Sequence, residues 1–225
     1  MFARASLVLA IAAATVLSLC PQDAQARGKR SVKKLAMAKF NLGSREVSVI
    51  ASAKGTTNGA VIVRLKRSDV PVCYVLLLDA PPRRATKILK SFRARVCAAY
   101  DKHAKKAKLR RVQLTNRHDA WRAYIHSVRA DAIAKGAETL RFWGLYSDGG
   151  ATATTLFERV STSFKSKANS AVNQAEVCQP PAFPVGDEPS TLTMVCDNEA
   201  QLESRVTTTT NTYNYVWKSG RFNLK

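Results

Sequence analysis

The side chains best suited to chemistry in this sequence are basic ones, concentrated in the 25-residue segment 87–111. The segment carries ten Lys and Arg residues against one acid, Asp101. Each Lys or Arg near an anionic membrane contributes about 1 kcal/mol, so several together give substantial, salt-sensitive attachment. Eight side chains are predicted to contact an anionic surface or polymer: Lys87, Lys90, Arg93, Lys102, Lys105, Lys106, Arg110 and Arg111.

The excess of positive charge is confined to one part of the chain. Residues 27–137 hold 27 basic and 6 acidic side chains, a net charge of +21, whereas residues 138–225 hold 8 and 9, a net charge of −1. Solubility needs far less charge than this, and self-repulsion destabilises a compact state. An interaction face is therefore predicted. The alternative is a structural secreted protein whose charge only keeps it in solution.

The partners that this charge predicts are lipid head groups, acidic polysaccharide or extracellular DNA. No recognised nucleic-acid-binding motif accompanies the basic residues, so binding to DNA would be non-specific. The β-rich C-terminal part would then present a second surface to a protein or a glycan.

Catalytic signatures are missing from the sequence, which contains no GxSxG elbow, HExxH, P-loop or GxGxxG. His118 and Asp119 are adjacent and can form an acid–base dyad, yet nothing nearby in the sequence supplies a nucleophile. A turn or strand-entry pair is the favoured interpretation, and His103 is interpreted as a packing residue. We therefore expect a non-enzymatic protein without a cofactor or metal. The alternative is a hydrolase with its site around His118 and Asp119.

Two further groups of side chains have both a binding and a structural interpretation. Tyr213, Tyr215 and Trp217 fall on one face of a strand, where they can form an aromatic platform for sugar rings or bases, or else cover a sheet. Covering a sheet is the favoured interpretation. The acids of segment 197–203 lack the spacing and the turn glycine of an EF-hand loop, which favours a solvated loop over a calcium site.

Four cysteines, Cys73, Cys97, Cys178 and Cys196, follow the N-terminal region. An even number in an exported chain indicates two disulfides. The simplest pairing joins the first two and the last two, and each bond would close a loop of roughly 20 to 25 residues and stabilise by about 3 kcal/mol. A zinc site is disfavoured because no CxxC occurs and the histidines are distant in sequence.

Export is predicted from the N-terminus. An apolar run at 5–20 is followed by the small-residue pattern "AQA", so residues 1–26 are interpreted as a secretory signal that is cleaved after Ala26. A lipid anchor on Cys20 is the alternative, disfavoured because the preceding Leu19 is large. The mature protein would then be periplasmic or extracellular.

Alternating apolar and polar residues predict strands at 46–53 and 60–67, and an apolar run at 72–80 predicts a central strand, so that the three form an N-terminal antiparallel sheet. A long amphipathic helix with a cationic face is predicted next, over about 83–107. Its apolar stripe recurs at three- and four-residue steps and comprises Ala85, Ile88, Leu89, Phe92, Val96, Ala99 and His103. Cys97 lies at the edge of that stripe, so a bond to Cys73 would attach the helix to the sheet.

The rest of the chain is predicted to be a β-meander. Segment 117–136 can be interpreted as helix or strand, and strand is favoured for 119–128. The other predicted strands are 108–114, two that flank the turn "SDGG" at 147–150, 191–198, 204–210 and a hairpin at 213–224.

The predicted fold class is therefore α+β, mainly antiparallel β, and stabilised by disulfides. We divide the chain into four parts, of which the last two pack as one compact unit. They are a signal peptide (1–26), a flexible basic arm (27–34), a sheet with its cationic helix (35–112) and a β-meander (113–225).

Overall fold

The computed structural model describes residues 22–55, 58–66, 71–79, 86–97, 107–114, 119–131, 136–166, 172–182, 191–202 and 205–225. Within these ranges the protein contains one α-helix, twelve β-strands and a short 3-10 helix, Gly150–Thr152. The elements are α1 (Gln22–Phe40), β1 (Val47–Lys54), β2 (Asn58–Leu65), β3 (Val72–Asp79), β4 (Lys87–Ala94), β5 (Ala107–Gln113), β6 (Asp119–Asp131), β7 (Gly136–Ser147), β8 (Thr155–Ser166), β9 (Val172–Cys178), β10 (Thr191–Leu202), β11 (Arg205–Lys218) and β12 (Arg221–Leu224). The mainly antiparallel β class is confirmed.

Strands β1 to β4 form a four-stranded sheet in sequence order, which confirms the three strands predicted for this part. β3 is apolar along most of its length because both of its faces are covered. Val75 and Leu77 face the second sheet, whereas Leu76 and Leu78 face the side that carries α1. A strand buried on both faces has this continuous apolar character.

The long basic helix predicted over 83–107 is wrong, because the described residues 86–97 contain β4 instead. The three-residue step from Lys87 to Lys90 has a different cause, whereas Arg93 lies opposite Tyr74 on the other face of the strand. A β-bulge in the pairing of β4 with β3 inserts one residue into β4 and shifts its alternation by one position. Beyond the bulge the strand alternates normally and turns three apolar side chains toward the second sheet, Phe92, Ala94 and Val96.

α1 covers the outer face of the first sheet with apolar residues at four-residue steps. Val32 and Ala36 are buried, and the ring of Phe40 lies 4.7 Å from the ring of Tyr74. The helix includes residues 27–34, for which a flexible arm was predicted. The basic residues of that segment therefore belong to a helix.

Strands β5 to β12 follow one another across an eight-stranded sheet. β6 confirms the strand predicted at 119–128, and β7 and β8 confirm the hairpin. Side chains alternate between the two faces of a strand, and in this sheet both faces are covered. Trp121 and Phe142 face the first sheet, whereas Ala120 and Trp143 face the opposite side, where side chains of β9 to β12 pack. β12 returns to contact β8.

Both predicted disulfides are confirmed. Cys73–Cys97 spans 24 residues and ties β3 to the chain that leaves β4. Cys178–Cys196 spans 18 residues and joins directly opposite positions of β9 and β10. Each bond therefore reinforces a pairing that the sheets already make.

The C-terminal part differs from the sequence expectation in two respects. The strand predicted at 204–210 and the first strand of the 213–224 hairpin form one continuous strand, β11. β9 was not predicted, because its sequence alternates only weakly. Its position beside β8 and β10 nevertheless places Glu176 next to the core.

Candidate anion-binding surface

Three of the eight predicted anion contacts lie on β4, an outer strand of the first sheet, where Lys87, Lys90 and Arg93 are exposed. Arg95 follows, with 72% of its side chain exposed and its Nε 3.6 Å from the Glu158 Oε2. An ion pair at such an exposed arginine contributes little stability, so Arg95 can also meet an external anion. We call these four side chains the β4 cations.

β5 is the outer strand of the second sheet, and its Lys108 and Arg110 are exposed. Arg110 lies directly opposite Arg122 of β6, an arrangement in which like charges destabilise the pairing. Burial and the charge of Arg110 lower the pKa of Arg122. Neither arginine pairs with a carboxylate in the described part of the chain. We call Lys108, Arg110 and Arg122 the β5 cations.

Arg111, also predicted as an anion contact, belongs to a partly exposed cluster between the two sheets that we call the polar junction. Its guanidinium pairs with Asp119, and its Nη2 lies 3.3 Å from the Asp148 Oδ2. The Asp148 carboxylate also accepts hydrogen bonds from Asn58 Nδ2 at 2.7 Å and from Trp121 Nε1 at 2.9 Å. Because Asn58 belongs to β2, the junction connects the two sheets.

The polar junction bears on the catalytic alternative as well. The Asp119 carboxylate, one half of the dyad considered from the sequence, is engaged by Arg111. His118 lies outside the described residues, as do His103 and three of the predicted anion contacts, Lys102, Lys105 and Lys106. The dyad therefore stays a sequence hypothesis.

The β4 cations and the β5 cations lie toward different edges of the first sheet. β1 and β4 are its outer strands, and β5 contacts β1 and β2. With neighbouring strands about 4.8 Å apart, three spacings separate β1 from β4 by about 14 Å. A small anion cannot bridge both sets.

The aromatic residues of β11 pack against the core. Tyr213 and Trp217 are half-buried beside the second core cluster, and Tyr215 is buried within it. The ring centroid of Tyr215 lies 4.9 Å from that of Phe157, and that of Trp217 lies 5.0 Å from that of Phe222. In this arrangement the three rings cover the inner face of the sheet.

A charged cluster around Arg159 on β8 was missed by sequence reasoning. Its Nη2 donates to the Glu176 Oε1 at 2.6 Å, and its Nη1 donates to the Tyr215 hydroxyl at 3.2 Å. The guanidinium carbon also lies 3.9 Å from the ring centroid of Tyr213. No sequence signal could have identified this cluster, because Glu176 reaches Arg159 only through the unpredicted strand β9.

A depression of about 130 Å³ lies beside Glu176. Small-molecule sites have volumes of about 300–1,000 Å³, so this depression is too small for a ligand of ordinary size. Its other lining residues come from β8 to β11 and are mostly polar: Thr162, Gln174, Ala175, Asn198, Glu199, Ala200, Thr207 and Thr209.

Glu176 also approaches the second disulfide. One carboxylate oxygen and the sulfurs of Cys178 and Cys196 lie within 4.8 Å of one another, a grouping that resembles a metal site. The two sulfurs are bonded to each other, and zinc binds thiolates. The disulfide therefore leaves only the carboxylate as a ligand.

A partly buried acid, Glu158, lies close to the β4 cations. The fully buried Tyr146 donates its hydroxyl proton to the Glu158 Oε1 at 3.0 Å, and its ring stacks on Phe92 at 4.6 Å. Burial raises the pKa of Glu158, although the Tyr146 hydrogen bond and the Arg95 charge oppose the shift. Glu158 therefore holds its proton more tightly than an exposed Glu.

In the described part of the chain, no helix combines the length and apolar character needed to cross a membrane. Comparison of the chain with protein-family models, curated proteins and solved structures found no match.

Proposed function

We propose that this is an exported, non-enzymatic, envelope-associated protein that attaches electrostatically to an anionic surface or polymer. The observation that carries the proposal is the exposure of cations on two outer strands. Among the described residues, five of them form no ion pair with a carboxylate: Lys87, Lys90, Arg93, Lys108 and Arg110. At about 1 kcal/mol for each engaged side chain, this set suffices for salt-sensitive attachment.

The Arg110–Arg122 pair adds specific support. Two guanidiniums placed opposite each other repel, and the repulsion costs stability when nothing lies between them. A phosphate, sulfate or carboxylate bound between them would remove that cost. Arginine suits this role because its planar guanidinium binds such anions through two parallel hydrogen bonds.

The separation of the two cation sets favours an extended partner. β5 contacts β1, and about 14 Å of sheet separates β1 from β4, a distance that an extended partner can span and a free small anion cannot. Lipid head groups, acidic polysaccharide and extracellular DNA all meet this requirement. Without a recognised base-reading motif, attachment to DNA would be through phosphates and would not depend on sequence.

Export is supported by the two disulfides, because such bonds form and persist mainly in oxidising compartments. The signal peptide proposed for residues 1–26 would deliver the chain to the periplasm or the extracellular space.

The proposal is tested by measuring retention of the purified protein on anionic vesicles, neutral vesicles, acidic polysaccharide and duplex DNA. Each is measured at low and at near-physiological salt. Preference for one anionic partner that persists at physiological salt supports the proposal and identifies the partner class. Equal binding to all three anions that vanishes with added salt contradicts it, because generic surface charge behaves in that way.

A pair of matched variants assigns the surface. Lys108→Gln with Arg110→Gln removes two β5 cations, and Lys218→Gln with Arg221→Gln removes two exposed cations beside the β11–β12 turn. On DNA the first variant is expected to reduce the slope of log K against log salt by about 2, whereas the second leaves it unchanged. Equal losses in both variants would show that only total charge matters.

A further inference from the structure

β11 has an open edge along most of its length. On one side, β10 pairs with residues 205–216, whereas on the other side β12 pairs only with residues 215–218. The Lys225 N–H adds one hydrogen bond, to the Asn214 carbonyl. From 205 to 213, that second side of β11 has no strand partner within the described ranges.

The side chains of this segment are also open to solvent. Eight consecutive residues, 205–212, are exposed, so both faces of the strand reach water. Natural sheets protect such edges with Lys, Pro or bulges. Residues 206–213 contain none of these, and their pairing with β10 is regular. Five of these eight residues are threonine, which favours extended backbone.

The terminal hairpin determines which backbone groups face the open edge. Ser219 and Gly220 both have positive φ, as in a two-residue type I′ turn, so Lys218 and Arg221 form a hydrogen-bonded pair. Even-numbered residues of β11 therefore direct N–H and C=O toward β12, as the Asn214 carbonyl does. By the same alternation, the residues that present these groups at the open edge are Val206, Thr208, Thr210 and Thr212.

We propose that this edge joins two copies of the chain, whose β11 strands pair antiparallel about a two-fold axis. Even-numbered residues must then lie opposite even-numbered residues. A register with Thr209 on the axis meets this requirement, since it places Thr208 opposite the second copy's Thr210 and Val206 opposite its Thr212. These two pairs and their symmetry mates form about eight backbone hydrogen bonds.

Charge and side-chain chemistry favour a second copy as the occupant. Threonine–threonine pairs across strands are favourable, and the one charged residue of the segment, Arg205, would lie at opposite ends of the two-fold interface. β11 also belongs to the part of the chain with a net charge of −1. Two copies can therefore meet there with little repulsion, unlike at the part that carries +21.

The test compares Thr208→Pro with Thr208→Val by sedimentation equilibrium, using the full-length folded protein without any anionic partner. The Thr208 N–H points to the open edge, so proline removes no hydrogen bond to β10, and valine keeps the N–H. Wild type and the valine variant are expected to be dimers. The proline variant is expected to dimerise on the order of 100-fold more weakly, since both copies lose edge hydrogen bonds.

A second variant protects the test against misfolding of the proline variant. Thr209→Asp places two carboxylates opposite each other on the axis, whereas Thr209→Asn places neutral side chains of the same shape. The aspartate variant is expected to dissociate at low salt and the asparagine variant to remain dimeric. Circular dichroism verifies that each variant is folded.

Three outcomes would overturn the proposal. Wild type could remain monomeric up to about 1 mM, which corresponds to a self-association free energy weaker than about 4 kcal/mol. The open edge would then bind a strand of another protein instead of a second copy. A folded proline variant could dimerise as tightly as wild type, or the aspartate variant could match the asparagine one. Because no anion is present, none of these outcomes decides the anion-binding proposal.

Discussion

Replacing Asp148 with alanine would remove the central carboxylate of the polar junction. Only 10% of the Asp148 side chain is exposed. Its Oδ1 accepts from Trp121 at 2.9 Å, and its Oδ2 accepts from Asn58 at 2.7 Å and lies 3.3 Å from Arg111. The substitution leaves these donors in place and takes away their shared acceptor.

The expected cost follows from the exposure of each donor. Trp121 is fully buried, and an unsatisfied buried N–H costs about 1–3 kcal/mol. The part-buried Asn58 amide loses a charged acceptor, at about 1–2 kcal/mol. Arg111 adds little, because 39% of its side chain is exposed and Asp119 remains its partner. We therefore expect Asp148→Ala to lower the free energy of unfolding by about 2–5 kcal/mol, a large effect for one substitution.

Urea unfolding at pH 7, followed by tryptophan fluorescence and circular dichroism, measures this change. Asp197→Ala is the matched control, because Asp197 is exposed and accepts one hydrogen bond, from Thr210. Its expected cost is below about 1 kcal/mol. If Asp148→Ala costs no more than this control, the polar junction does not hold the sheets together and the reasoning fails.

Three further predictions concern other parts of the fold. Replacing Cys178 and Cys196 together with alanine is expected to lower the free energy of unfolding by about 3 kcal/mol, because the bond closes an 18-residue separation; urea unfolding measures this. Glu158→Gln is expected to remove a pH dependence. Burial raises the folded-state pKa of Glu158, so wild-type stability falls as pH rises from the ordinary glutamate pKa through the raised one. Arg110→Gln is expected to raise the free energy of unfolding by about 0.2–1 kcal/mol without ligand, by removing repulsion on Arg122.

Each of the three has an outcome that contradicts it. If a reductant opens the Cys178–Cys196 bond and the free energy of unfolding of wild type does not change, the disulfide does not stabilise the fold. For Glu158, the stability difference between wild type and Glu158→Gln is compared from about pH 4 to 7, and a constant difference would refute the raised pKa. Lys108→Gln is the control for Arg110, since Lys108 lies opposite Tyr124, and equal changes in both variants would exclude a like-charge effect.

Local patterns predicted the strands that alternate regularly. In β1, β2 and β6 a two-residue period is visible without knowledge of the partner strand, whereas β3, which is buried on both faces, was predicted from its continuous apolar run. The disulfides were also predictable, because short sequence separation favours local pairing and both pairs bridge neighbouring strands.

The same reasoning failed at β4 because of the bulge. One inserted residue lengthened the step between Lys87 and Lys90 from two to three, which imitates a helical period. A strand signal was present after the bulge, where Phe92, Ala94 and Val96 alternate with Arg93 and Arg95. Only the hydrogen bonding of this segment to β3 distinguishes a strand from a helix here.

The sequence by itself determined the excess of charge, its confinement to residues 27–137, the number of cysteines and the dominance of strands. The tertiary structure decided which of those charges are available to a partner. Arg110 and Arg111 are adjacent in sequence, yet Arg110 is exposed opposite Arg122, whereas Arg111 joins the polar junction. The reason is that successive side chains of a strand point to opposite faces, and the packing of the two sheets brings the carboxylates of Asp119 and Asp148 to the Arg111 face only.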